Sequence, residues 1–198
     1  IENTPRVFST TDKKTSEIVR GIYSQIIDAE LTELSSIKTA EAVKSFENTF
    51  RLVNISFVNE FAAVCNNLGI NIHEVIKGAK TKPFGFLAFY PSAGAGGHCI
   101  PKDSTYLTFS AKKAGGTLPI VEESIKTNLK IPLRVCDFIE SKLNELNINN
   151  NRSVIVSGIS YKENTEDCRE SPGLKIASIL KERGINVKIH DSIVENFP

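Results

Sequence analysis

Residues 36–69 read SIKTAEAVKSFENTFRLVNISFVNEFAAVCNNLG. Ala40, Val43, Phe50, Val53, Phe57, Phe61, Val64 and Leu68 return at three- or four-residue steps, the spacing that aligns side chains on one side of an α-helix, and Gly69 supplies a stop. The pattern predicts one helix over 36–68, about 45–50 Å long at 1.5 Å per residue. Leu52, Ile55, Val58, Ala62 and Cys65 form a second apolar row. A helix apolar on two sides is expected to be covered twice, once by its own chain and once by its copy in a dimer. Near its start, Lys44, Asn48 and Arg51 fall at i, i+4 and i+7 and share a face. An amine, an amide and a guanidinium in a row make either a solvated polar strip or, opposite a reactive loop, a place to hold an oxyanion or phosphate.

Such a loop follows at 90–107, YPSAGAGGHCIPKDSTYL. Gly94, Gly96 and Gly97 permit positive φ and close approach to a ligand, and Pro101 opens a helix running to about Lys113. Cys99 is expected just ahead of that helix, where the dipole and free amides favour the nucleophilic thiolate. Asp103 lies one turn further along the same side, within reach of a water or a thiol-bound carbonyl. A lone cysteine beside a glycine turn reads as a small buried residue. The dense glycine, the Cys-x-Pro-x-Asp run and the helix start together point instead to a reaction centre. His98 is read as a packing or loop-bonding residue, because adjacent side chains point apart.

Further out, the flanks carry α/β patterns. On the N-terminal side a strand at 6–10, a helix at 11–27 with Ile18, Ile22, Ile26 and Ile27 on one side, and a strand at 30–34 follow one another without a glycine-rich phosphate loop. On the C-terminal side come a short helix at 72–79, a loop at 81–86, and a helical region at 120–146 interrupted or restarted at Pro132. After a polar linker at 147–152, a continuous apolar strand at 153–160, a helix opened by Ser171-Pro172 and ended by Gly184, and a strand at 186–190 make a βαβ unit. Its loop at 161–170 lies at the strand's carboxyl end, where α/β sheets bind ligands, so Lys162 and Arg169 are either nucleotide contacts or ordinary surface charges. Asp191 is set aside as a ribose acid, because only Gly158 stands where Gly-x-Gly-x-x-Gly is required. The expected fold is α/β overall, with a remnant of an α/β domain at 1–35, a mainly α-helical central domain at 36–147 and the start of a Rossmann-like domain at 148–198.

Composition narrows the function. A net charge of +1 gives no electrostatic argument for nucleic acid or an anionic membrane. No apolar run reaches the roughly 18 residues that span a bilayer. The 4 cysteines show no Cys-x-x-Cys spacing, so neither a zinc site nor a disulfide framework is indicated, and a reducing cytoplasm fits best. An Ile start and the absence of Met lead us to expect a fragment.

Three blocks resemble the UDP-glucose/GDP-mannose dehydrogenase family: Ala40-Glu41-Ala42-Val43-Lys44 through Glu47-Asn48 to Asn59-Glu60; Gly96-Gly97-His98-Cys99-Ile100-Pro101-Lys102-Asp103; and Gly158 through Tyr161-Lys162 and Asp167 to Arg169-Glu170-Ser171-Pro172. With Asn3-Thr4-Pro5-Arg6-Val7 they cover almost the whole chain in family order. The resemblance implies an N-terminal Rossmann domain for NAD, a central domain built on a long dimerising helix, and a C-terminal domain that helps hold a UDP-sugar. This chain would carry the end of the first, all of the second and the start of the third, and alone would not turn over.

The implied reaction oxidises the sugar's C6 alcohol to a uronate in two hydride transfers through a thiohemiacetal and a thioester on Cys99. Lys44 and Asn48 would steady the oxyanion, and Asp103 would order or activate water. The Tyr90–Gly97 loop, with Gly94 and Gly96, would cradle the diphosphate, reached by Lys162 and Arg169 from the other side. Gly-Gly-His-Cys-Ile-Pro, with Thr81-Lys82-Pro83-Phe84-Gly85-Phe86 before it, is similar to the branch acting on UDP-N-acetylhexosamines, whereas Pro101-Lys102-Asp103 approaches the UDP-glucose branch. Two other readings stand beside this one: a non-catalytic dimerising or UDP-binding module, and a thiol hydrolase pairing Cys99 with His73 or His190.

Overall fold

The computed structural model describes residues 2–148, 150 and 152–195, so Asn149 and Asn151 of the expected linker lie outside the described residues. In chain order the elements are β1 (Arg6–Phe8), α1 (Lys13–Tyr23), β2 (Leu31–Glu33), α2 (Ile37–Asn67), α3 (Ile72–Ala79), α4 (Cys99–Lys113), α5 (Pro119–Glu145), β3 (Ser153–Ser157), α6 (Pro172–Glu182) and β4 (Asn186–His190). The chain divides into two compact units, Ile1–Glu47 and Asn48–Pro198.

In the first unit β1 and β2 pair in parallel, Val7 opposite Thr32, with α1 as the crossover. Asp12 caps α1 by accepting from the Thr15 N–H at 2.9 Å and the Thr15 hydroxyl at 2.7 Å. Arg20 ties the helix to both strands, donating to the Leu31 carbonyl at 2.9 Å and lying 5.1 Å from the Phe8 ring centre. The helix stops at Tyr23 rather than 27, because Gln25 and Ile26 bond three residues back in a tighter turn. Ile27 is buried, while Ile18, Ile22 and Ile26 are exposed.

The second unit starts from the C-terminal two-thirds of α2. Leu52, Ser56, Val58 and Cys65 are buried against the unit, and Phe50, Phe57, Phe61 and Leu68 stand exposed, Phe57 and Phe61 stacked at 6.2 Å. The two apolar rows therefore differ: one is covered, the other open. Ser56 on α2 donates to the Ser124 carbonyl of α5 at 2.9 Å. α5 corrects the expected interruption at Pro132, running unbroken from Pro119 to Glu145. The proline forfeits only the bond to the Asn128 carbonyl, and burial of Ile131 and Pro132 holds the turn together.

β3 and β4 pair in parallel, Ile155 opposite Lys188, with α6 crossing between them. Ser171 caps α6 by accepting from the Leu174 N–H at 3.3 Å. Gly158, at φ +85, ends β3 three residues earlier than expected. The strand is also not buried on both faces: Val154 and Val156 face the core, but Ile155 is 67% exposed, because only one strand and one helix layer accompany it. The core joins α5 to this βαβ unit through Cys136, Leu143, Ile176, Leu180 and Ile185. Cys136 is fully buried, its thiol 3.7 Å from the Ile176 carbonyl, and Cys65 is equally enclosed. Among the described residues no helix is long and apolar enough to cross a membrane.

Candidate active site

Cys99, Asp103, Asn48 and Arg51 all lie in the second unit. α4 starts at Cys99 itself, two residues earlier than the proline suggested, so the thiol sits on the first helical residue rather than ahead of it. Pro101 needs no N–H there, since first-turn amides have no helical acceptor. His98 precedes the helix without capping it by a side-chain hydrogen bond, and Cys99 is exposed and unpaired. His98 is exposed too, which corrects its reading as a packing residue.

One turn along α4, Asp103 accepts from the Asn48 amide of α2, and the oxygen of that amide accepts from Arg51. Asn48 is only 1% exposed. A buried side-chain amide is thus held at both ends, by a carboxylate and by a guanidinium, with its second N–H left over. Thr49 donates to the Ser104 hydroxyl at 3.3 Å, and Ser104 donates to the Ile100 carbonyl at 2.9 Å, pinning the same two helices one step over. The structure therefore brings Asn48, Arg51 and Asp103 together beside the thiol's helix, while Lys44 is an exposed residue of the first unit.

The glycine loop is held by two asparagines. Ser92 N–H donates to the Asn59 side chain at 3.0 Å. Asn128 accepts from the Ala95 N–H at 2.7 Å and donates to the Ala95 carbonyl at 3.0 Å. The reason for the glycines proves partly internal. A Cβ on Gly96 would lie 2.5 Å from the Pro172 ring and 2.8 Å from the Glu170 carbonyl; one on Gly97, at φ +79, would lie 2.5 Å from the Tyr161 ring. The chain's own 161–172 segment presses on the loop, so these two positions are glycine before any ligand arrives. Tyr90 is exposed, its ring stacked 6.4 Å from that of His73 and its hydroxyl 3.5 Å from Lys80.

Within 161–170, Asp167 accepts from the Arg169 backbone N–H at 3.0 Å and from its guanidinium at 2.5 Å. Hydrogen bonds from Arg169 hold the Asp167 carboxyl down to about 2, and the carboxylate in turn raises the guanidinium. Lys102 and Glu170 form an ion pair at 3.4 Å between α4 and the loop, with Glu170 at φ +52. Lys162 is exposed and makes no ion pair among the described residues. Asp191 is occupied structurally, its carboxylate accepting from the backbone N–H of Ile159 at 2.8 Å, Ile193 at 2.9 Å and Val194 at 3.1 Å. Sequence reasoning passed over Asn128; its signal was an asparagine four residues before a helix-internal proline, where a turn loses a bond and a loop can dock.

Residues 38–130 match the central domain of the UDP-glucose/GDP-mannose dehydrogenase family, and residues 155–198 match that family's UDP-binding domain. A UDP-N-acetyl-D-mannosamine dehydrogenase of Methanococcus vannielii is 35% identical over 197 residues, covering 100% of this chain and 44% of the relative. A UDP-N-acetyl-D-glucosamine 6-dehydrogenase of Pseudomonas aeruginosa is 33% identical over 192 residues, covering 96% of this chain and 45% of the relative. The solved structure of a UDP-D-ManNAc dehydrogenase from Pyrococcus horikoshii superimposes with a TM-score of 0.86 at 31% identity, covering 98% of this chain and 45% of that one. The chain thus spans rather less than half the length of the relatives it matches. Two domain matches in chain order settle the assignment: the chain belongs to the UDP-glucose/GDP-mannose dehydrogenase family.

Proposed function

We propose that this chain supplies the thiol-bearing part of an NAD-dependent UDP-sugar 6-dehydrogenase that oxidises a C6 alcohol to a uronate. The observation that carries the reading is the exposed Cys99 at the first position of α4, one turn from an Asp103 already tied to the buried Asn48. The Gly-Gly-His-Cys-Ile-Pro run and the names of the relatives favour a UDP-N-acetylhexosamine, N-acetylmannosamine or N-acetylglucosamine, over UDP-glucose.

Among the described residues, neither the β1–α1 turn nor Asp191 makes a cradle for the dinucleotide. The β1–α1 turn at 9–12 contains no glycine and is closed by the Asp12 cap, and Asp191 is spent on backbone amides. The steps assigned here are accordingly those of the sugar and the thiol. Cys99 Sγ, as thiolate, adds to the C6 aldehyde; a carbon–sulfur bond forms as the carbonyl π pair moves onto oxygen. The second N–H of Asn48 meets that oxyanion, and family resemblance assigns Lys44 the neighbouring positive charge. At the thioester stage Asp103 takes a proton from the attacking water, the carbon–sulfur bond breaks, and Cys99 leaves as thiolate. Arg51 fixes Asn48, while the 90–97 loop with Lys162 and Arg169 holds the diphosphate.

The open row Phe50, Phe57 and Phe61 on α2, continued by Leu68 just past its end, supports a homodimer through that helix. Four unpaired cysteines fit a cytoplasmic enzyme.

The test is a stoichiometry. The full-length protein should release two NADH per UDP-N-acetylhexosamine, and Cys99→Ser should lower uronate release by about a thousandfold or more. Normal uronate release from Cys99→Ser would remove the thiol from the mechanism. UDP binding with no NADH formed from any UDP-sugar would favour the non-catalytic module.

A further inference from the structure

We infer that Asn128 is a positioning residue for diphosphate recognition, holding the 92–97 loop so that its later amides stay free for the substrate; the inference rests on the UDP-sugar reading above. Asn128 is buried, at 8% exposure, on the α5 face that meets the loop. Its side chain takes both backbone groups of Ala95, accepting from the N–H at 2.7 Å and donating to the carbonyl at 3.0 Å. That fixes the peptide plane on either side of Ala95, which single-ended hydrogen bonds do not do.

The place is prepared by Pro132. Lacking an N–H, it leaves the Asn128 backbone carbonyl without its helical donor, and the loop comes close at that turn. A Cβ built on Gly94 would sit 3.4 Å from the Asn128 side-chain oxygen and 3.6 Å from its backbone oxygen, while Gly94 takes φ +114. Beyond Ala95, the N–H groups of Gly96, Gly97, His98 and Cys99 meet no acceptor among the described residues. Asn128 thus consumes the one residue that separates the loop's anchored half from its donor half. Cys99 and Asp103 are fixed differently, through Asn48, Thr49 and Ser104 on the α2–α4 side. Loss of Asn128 should therefore loosen the diphosphate contacts and leave the thiol where it is.

The experiment measures UDP and uridine affinity by calorimetry, and the steady-state constants for the UDP-sugar, in full-length wild type, Asn128→Ala and Asn128→Asp. Asn128→Asp keeps the acceptor for the Ala95 N–H and loses the donor, so it serves if the alanine variant does not fold. The expected result is UDP affinity and KM worse by about tenfold, the size of one or two ordinary hydrogen bonds, with uridine affinity and kcat changed less than about twofold. Unchanged UDP affinity in a folded variant, an equal loss for uridine and UDP, or a fall in kcat at constant KM would each overturn the inference. Because UDP binding is read without turnover, wild type that binds UDP but forms no NADH would sink the dehydrogenase reading and leave this comparison intact. Wild type that binds no UDP would sink both.

Discussion

Gly97 shows how a single position can be set from inside the fold. Its φ of +79 and the 2.5 Å approach of the Tyr161 ring make any side chain doubly unfavourable. Gly97→Ala should cost about 1–3 kcal/mol, the usual size of left-handed strain in a non-glycine residue, measured by denaturant titration. Adding Tyr161→Ala should recover the part due to the ring, so the double variant should lie nearer to Tyr161→Ala than additivity requires. Full additivity would mean that the ring and the loop do not press on each other. The sequence pointed to this glycine as a place for ligand approach; it could not reveal Tyr161, 64 positions on, because contact across that separation is set by the packing of α6.

Acid sensitivity is expected in the β3–α6 loop and in the turn after β4. Arg169 depresses Asp167 to about 2, and the amides of Ile159, Ile193 and Val194 hold Asp191 well below the ordinary carboxylate range. A carboxyl whose folded value is lowered contributes stability above its unfolded value and loses it as pH falls through the folded one. For Asp167 that window runs from about pH 4 down to about 2. The protection factors of 159–170 amides, exchange rates taken relative to the intrinsic rate at each pH, should fall across it, and in Asp191→Asn the Ile159 amide should lose protection already at neutral pH. Protection factors that stay constant with pH in wild type would contradict the assignment. At this scale the sequence was a good guide: α3 and β4 fall where periodicity and turn residues placed them, and Ser171 and Gly184 bound α6 as expected. It failed at Pro132 and at the end of β3. Proline's cost is local, and the burial of Ile131 that outweighs it is not visible in spacing; strand length was overread because an apolar run does not say how many neighbours the strand has.

For the whole molecule the open row of α2 matters most. Phe57 is 65% exposed and Phe61 38%, beside an apolar groove of about 350 Å³ lined by Phe50, Ile76, Phe86 and Phe89. Phe57→Glu should convert the proposed dimer to monomer in sedimentation velocity, without the loss of folded structure that a core substitution brings. A variant that keeps the dimer mass would move the interface elsewhere. The pairing of rows was legible from period alone; which row faces inward was not, since Leu and Phe are both apolar and only the placement of α5 decides between them. The sequence marked Asn48 and Asp103, which the fold joins by a hydrogen bond, but gave no mark to Asn128, which anchors the glycine loop.

The distribution of thiols gives the chain a built-in gauge of opening. Cys99 is exposed and Cys168 half-buried, whereas Cys65 closes one end of α2 and Cys136 sits in the joint between α5 and α6. An alkylating reagent followed by mass spectrometry should add two labels promptly and the remaining two only as fast as the α5–α6 joint and the end of α2 come apart. Each later label then clocks the opening of its own segment, with no probe added to the protein.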